Sequence, residues 1–300
     1  MKRIDVKFNN EEEKRKFVLE CEADFEKRLD IASHEIVESG VCCILLSGPT
    51  CSGKTTTANK IIEDFTKAGK EVTVISFDDF FKDRTEGRVV TENTKIDYDS
   101  IDVIDLDALK DCIKNAKAGK TIKVPIFDFI TQSRRGYNEH YISDNEVLIF
   151  EGIQAVYPEI VSLFDTEYRG IFINVAEDVS INGVNFSKND IRFIRRIVRD
   201  RRFRGASAEF TYFLWETVRE NEEANIFTNK DVCKVQLDSF MPYELFVMKP
   251  YLIKTLSEVP SESKYYNRAR ELIEKVEAFD SISYDMIPSG SLYTEFLGKK

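Results

Sequence analysis

Residues 48–56, GPTCSGKTT, constrain this chain more than any other stretch. They fit the pattern G-x-x-x-x-G-K-[ST], with Gly48, Gly53, Lys54 and Thr55 in the fixed positions. Glycines let a backbone wrap closely around a polyphosphate, so that amides point at its oxygens. The lysine then reaches the outer phosphates and the hydroxyl holds Mg²⁺. So short a pattern also recurs by chance in turns, and its surroundings decide its meaning. Residues 41–46 (VCCILL) form a continuous apolar run, as expected of a strand buried on both faces of a parallel sheet. After the loop, Ala58, Ile61, Ile62 and Phe65 recur at helical spacing, and Gly69 supplies a stop. Strand, loop and helix in register predict a nucleotide-phosphate site.

At 300 residues and 42% hydrophobic content, the chain suits one α/β domain with additions. No apolar run approaches a membrane span, and the charged N-terminus (MKRIDVKFNNEEEKRKF) lacks the apolar core of a secretory signal. Six cysteines without metal-like spacing read as free thiols of a reducing cytoplasm, with Cys42 and Cys43 on opposite faces of the first buried strand. A net charge of −10 argues against a general nucleic-acid binder, and two histidines leave little room for histidine chemistry.

Residues 1–38 read as one or two amphipathic helices. A second strand, VTVIS, runs into FDDFFKDR, placing Asp78 and Asp79 where open α/β sheets collect ligands. Either carboxylate could take a proton from an attacking hydroxyl or orient Mg²⁺. Residues 85–95 read as a loop that orders on binding. Residues 121–129 alternate but carry Pro125, which predicts an edge strand or hairpin arm, a candidate acceptor clamp. The strand VLIF ends in Glu151, a position for holding the Mg²⁺ shell. Further strands are expected at 171–175 and 233–237, and packing helices at 210–225, 243–253 and 265–279.

In IRFIRRIVRDRRFRG, Arg192, Arg195, Arg196 and Arg199 share one helical face, while Ile191, Ile194 and Val198 line another. A charge run is usually a solvated face. In an acidic chain, so dense a stripe points instead to a lid, at about 190–206, that closes on phosphate.

Together, GPTCSGKTT, SFDDFFKDR, YDSIDVIDL, VPIFDFITQSR, VLIFEGI and IRRIVRDRRFRG resemble the uridine kinase/phosphoribulokinase family of P-loop kinases. AEFTYFLWETVRENEEANIF, YELFVMKPY and IPSGSLYTEFLG resemble the C-terminal region of a bacterial uridine kinase-like branch. The resemblance implies a three-layer α/β/α P-loop fold with a five-stranded parallel sheet, ATP as donor, Mg²⁺, and a nucleoside 5′-hydroxyl as acceptor. The kinase domain would span residues 39–240, between helical extensions at 1–38 and 241–300. Gly48, Pro49, Thr50, Cys51, Ser52, Gly53, Lys54, Thr55 and Thr56 would cradle ATP, joined by Arg195 and Arg204. Asp78 would activate the hydroxyl, with Lys54, Arg196 and Arg199 assisting catalysis. Thr55 and Glu151 would serve the metal. Asp99 would bind ribose, and Phe127, Gln132 and Arg196 would complete the acceptor site. Family members are often oligomeric, although no interface signature stands out here.

Three positions depart from the family pattern. Phe127 and Gln132 stand where uridine kinases carry a tyrosine and a histidine against the pyrimidine, and Ala206 replaces the arginine after the lid glycine. The base-reading set is altered while the transfer machinery is intact. A kinase for another small hydroxyl compound, such as a sugar phosphate or a pantothenate-like acceptor, therefore stays open, as does a nucleotide-sensing module of weak catalysis. A GTPase is disfavoured, because Asn229-Lys230-Asp231-Val232 misplaces the acid of N-K-x-D.

Overall fold

The computed structural model describes residues 1–83, 99–129, 131–165 and 168–298. The loop expected at 85–95, and Tyr98, lie outside them. A short strand β1 (Lys2–Ile4) precedes a single long helix α1 (Glu11–Glu38), opened by Asn10, whose side chain accepts the Glu13 amide. Strand β2 (Cys43–Ser47) and helix α2 (Lys54–Lys67) flank the phosphate-loop segment as expected. The strand begins two residues later than its apolar run, so Cys42 is exposed outside it, which corrects the opposite-face placement. All six cysteines are free thiols.

Strand β3 (Glu71–Ser76) leads into a 3₁₀ turn at Phe77–Phe80, and helix α3 (Leu106–Lys117) follows. Strands β4 (Thr121–Asp128) and β5 (Ser133–Tyr141) make an antiparallel hairpin outside the main sheet, where Pro125 is tolerated. Next come β6 (Glu146–Glu151), the short α4 (Pro158–Val161) and β7 (Arg169–Asn174). A pair of three-residue strands, β8 (Val179–Ile181) and β9 (Val184–Phe186), adds β1 as a parallel partner of β8. Strands so short carry no readable periodicity. The chain ends with α5 (Lys188–Phe203), α6 (Ala208–Asn221), β10 (Val235–Asp238), α7 (Glu244–Leu256), α8 (Tyr266–Glu277) and α9 (Thr294–Leu297).

The main sheet is five-stranded and all-parallel, in the order β10-β7-β2-β6-β3. Side chains alternate between its faces. Ile44, Leu46, Ile149 and Ile173 meet a core that also holds Phe25 and Leu29 of α1, Ile61 of α2, Ile194 of α5, Leu252 of α7 and Ile273 of α8. Leu45, Leu148 and Phe150 meet Leu109 and Ile113 of α3 on the other face. Both terminal extensions thus contribute to the same core as the sheet. No helix among the described residues is long and apolar enough to cross a membrane.

Candidate active site

The phosphate loop leaves β2 at the carboxyl edge of the sheet. A Cβ on Gly48 would stand 2.1 Å from the Ile173 carbonyl oxygen, so the loop turns against β7 where no side chain fits. Gly53 has φ +95°, and a Cβ there would meet Leu292 Cδ1 at 2.4 Å. Both glycines are therefore required by protein contacts on the loop's outer side. Gly53 is also the N-cap of α2 and offers no side chain to the first amides of that helix. Uncapped amides at a helix start suit an anion. Lys54 Nζ lies 2.9 Å from the Gly48 carbonyl and 3.3 Å from that of Pro49, and Thr55 stands exposed at the first turn.

Arg192 and Arg195 do not reach the cleft, which corrects their place in a phosphate-facing stripe and that of Arg195 among ATP ligands. Helix α5 is a core helix, with Ile191, Ile194 and Val198 fully buried. Arg192 pairs with Glu222 and also donates to the Thr50 carbonyl at 3.2 Å. Arg195 pairs with Glu244 at 2.6 Å and donates to the Cys51 carbonyl at 3.1 Å. Both arginines brace the loop from behind. Glu222 opens a stretch of π-helix (Glu222–Phe227), the kind of helix irregularity often found beside functional sites. Periodicity marks which residues share a face, but the carboxylates that would neutralise them lie in distant segments.

In front of the loop lies a cleft of about 790 Å³, within the size range of small-molecule sites. Asp78, Asp99, Glu151, Arg196, Arg199 and Arg204 line it. Asp78 opens onto the cleft, yet surrounding protein atoms and the Glu151 carboxylate push its pKa up to about 6. Its neighbour Asp79 instead accepts a hydrogen bond from the Phe127 main chain, which ties the turn to the β4–β5 hairpin. The Ser76 hydroxyl donates to Glu151 at 3.2 Å. Tyr157 donates to the Asp99 carbonyl at 2.7 Å.

The arginines facing the cleft are organised by a residue the sequence reading passed over. Asp200, buried within the arginine run, accepts from Arg199 Nε at 2.9 Å and Nη2 at 2.8 Å. Its carboxylate also lies 3.3 Å from Arg196 Nε and 3.6 Å from Arg204 Nε. Its signal was visible as the lone acid in RIVRDRRFR. On the hairpin side, the ring exposed to the cleft is Phe129, while Phe127 is buried beneath it, edge-on to both Phe81 and Phe129. Gln132 sits in the hairpin turn with φ +53°, and its side-chain oxygen is buried without a hydrogen-bond partner among the described residues. Glu222 and Glu295 were missed for the reason given for the stripe: their partners are far away in sequence. The Thr56 hydroxyl donates to Glu295 at 3.3 Å.

The oxygen donors here fit Mg²⁺. A hydroxyl (Thr55) and a strand-end carboxylate (Glu151) suit an ion that takes few protein ligands and completes its shell with water and phosphate. No cluster of three or more His, Cys, Asp or Glu side chains placed to hold a metal occurs among the described residues.

The chain is 30% identical over 175 residues to a uridine kinase from Ureaplasma urealyticum serovar 10, covering 58% of this chain and 76% of that one. It is 27% identical over 223 residues to "Inorganic pyrophosphatase TTM2" from Arabidopsis thaliana, covering 73% of this chain. It spans 29% of that plant protein and 35% of the related "Inorganic pyrophosphatase TTM1". Among solved structures, a possible uridine kinase from Bacillus stearothermophilus aligns over 72% of this chain with a TM-score of 0.49 at 19% identity. A model of the Phosphoribulokinase / Uridine kinase family matches residues 43–241, from β2 through the arginine helix to just past β10, and the chain belongs to that family.

Proposed function

We propose that this protein moves the γ-phosphoryl group of ATP onto a hydroxyl, foremost the 5′-hydroxyl of a nucleoside. The observation that carries the reading is that Asp78 lines one cleft together with Lys54, Arg196, Arg199 and Arg204. A carboxylate with a raised pKa, facing a phosphate loop and clustered arginines, has the arrangement needed to accept the hydroxyl proton as the phosphoryl group arrives.

The loop amides and Lys54 hold the polyphosphate, and Thr55 with Glu151 would hold Mg²⁺. That ion, when bound, neutralises charge on the phosphoryl oxygens. Asp78 orients and deprotonates the acceptor. Lys54, Arg196 and Arg199 stabilise the charge of an in-line transfer, with Arg204 beside them. Asp99 and the hairpin residues Gln132 and Phe129 hold the acceptor, with Phe127 as a packing residue behind them. A second reading, a kinase for another small hydroxyl acceptor, is favoured by the burial of Phe127, which is not among the residues lining the cleft.

The test is nucleotide consumption by the purified chain with Mg²⁺-ATP and uridine, cytidine, other nucleosides, and sugar-phosphate or pantothenate-like acceptors. Phosphorylation of a nucleoside supports the first reading, and phosphorylation of another acceptor alone selects the second. Phosphate release without any phosphorylated acceptor would refute both.

A further inference from the structure

The C-terminal tail reaches the phosphate loop. Residues beyond 241 lie outside the family match, yet Leu292 packs directly on Gly53. The tail is braced there. Ser291 meets the Tyr243 hydroxyl at 3.1 Å, the Met241 amide donates to the Tyr293 hydroxyl at 2.9 Å, and Phe296 and Leu297 of α9 are fully buried. On this fixed backbone, Glu295 is half-buried and lines the cleft beside the phosphate loop. The Thr56 hydroxyl donates to its carboxylate, Lys54 of α2 and Arg199 of α5 line the same cleft and attract it, and the buried Arg195 adds its charge from behind.

A loop hydroxyl, Lys54 and Arg199 are also groups that a bound polyphosphate would engage. Two anions cannot both take one hydroxyl proton, and like charges brought together in a partly dry cleft repel. We infer that Glu295 is a positioning residue of the donor-phosphate site. Its carboxylate competes with bound polyphosphate for Thr56 and for the charge of Lys54 and Arg199, and so sets how tightly the nucleotide is held. The inference rests on the phosphate-site reading above. A carboxylate that merely braced the tail would have the opposite sign: its removal would loosen the loop and weaken binding.

The experiment is calorimetric titration of Mg²⁺ and β,γ-imido-ATP into the full chain, comparing wild type, Glu295→Gln and Glu295→Asp at pH 8 and pH 5.5. At pH 8 Glu295→Gln should bind about fivefold tighter, the scale of one part-exposed charge contact. Glu295→Asp, which keeps the charge, should stay near wild type. Burial raises the pKa of Glu295, so at pH 5.5 wild type loses part of its negative charge and the gap narrows. Asp78 also titrates in this range, but equally in all three proteins, and drops out of the ratio. Glu295→Gln binding equal to or weaker than wild type at pH 8 overturns the inference alone. Wild type that binds no nucleotide overturns the phosphate-site reading and the inference with it.

Discussion

Arg192 and Glu222 form a two-pronged ion pair, 2.6 Å at each contact, with 0% and 1% of their side chains exposed. Between them they clasp the backbone of one phosphate-loop residue on both sides: Arg192 donates to the Thr50 carbonyl, and Glu222 accepts the Thr50 amide at 3.1 Å. Arg219 adds a second cation to Glu222.

Removing one partner strands a charge in the interior. Glu222→Ala should therefore lower unfolding stability by about 3–5 kcal/mol, the range for breaking a buried pair, read from urea denaturation. It should also weaken nucleotide binding, because the loop loses its rear support. Stability within error of wild type would show that the pair supports nothing.

The contrast between this pair and the loop it supports shows what was legible in the sequence. The loop, its strand and its helix are local, encoded by spacings within about two dozen residues, and they follow one another in the expected order, with the strand shifted by two residues at its start. The β4–β5 hairpin was equally readable, because Pro125 excludes a central strand. The direction in which α5 presents its arginines was not. Arg192, Arg195 and Arg199 share a face by periodicity, yet the first two are turned inward by Glu222 and Glu244. Those carboxylates lie 30 and 49 residues away, and nothing in a linear pattern announces the pairing. The tail escaped for the same reason, since Leu292 and Glu295 matter only through what they touch.

Asp78→Asn should leave nucleotide binding intact and reduce turnover by about 10²-fold or more, the usual scale of a general base. In wild type, kcat/KM should rise with pH through about 6 and then level, because the base works only when deprotonated. Stability should move the other way. The folded pKa lies above the unfolded one, so the stabilisation is complete below the ordinary carboxylate value and is lost as pH rises through about 6. At pH 8 the Asn variant should consequently melt higher than wild type, with the difference vanishing in acid. Thermal melts across pH, set beside the kinetic profile, check both halves.

Asp200 touches neither substrate in this scheme, but it holds the guanidinium of Arg199 through two hydrogen bonds and stands beside Arg196 and Arg204. Asp200→Asn removes the charge that collects them while keeping the side-chain shape. Three like charges then repel, and the guanidinium groups spread from their positions around the cleft. Misplacement on the order of 1 Å can cost on the order of 10²-fold, so kcat should fall by that order. The pH at which kcat/KM levels should stay near that of wild type. Steady-state kinetics across pH would separate this effect from a lost base, which would change the profile itself.

Asp79 and Asp78 are adjacent in sequence, but the 3₁₀ turn at Phe77–Phe80 sends them to different tasks. Asp78 faces the cleft, whereas Asp79 takes the Phe127 main-chain donor and so fixes the hairpin that carries Phe129 and Gln132. Asp83 repeats the attachment at the Arg134 amide, and Asp105 pairs with the Arg134 guanidinium at 2.8 Å. Three carboxylates thus anchor a hairpin that, among the described residues, pairs with no strand of the main sheet. If the hairpin positions the acceptor, Asp79→Ala should raise the acceptor KM by about tenfold, the scale of one lost hydrogen bond to a charged group. The nucleotide Kd should not change, because the phosphate loop is held separately by Arg192, Glu222 and Arg195. Substrate-saturation kinetics with each substrate varied in turn would decide it. Equal loss for donor and acceptor would mean that the hairpin supports the whole cleft and does not select the acceptor.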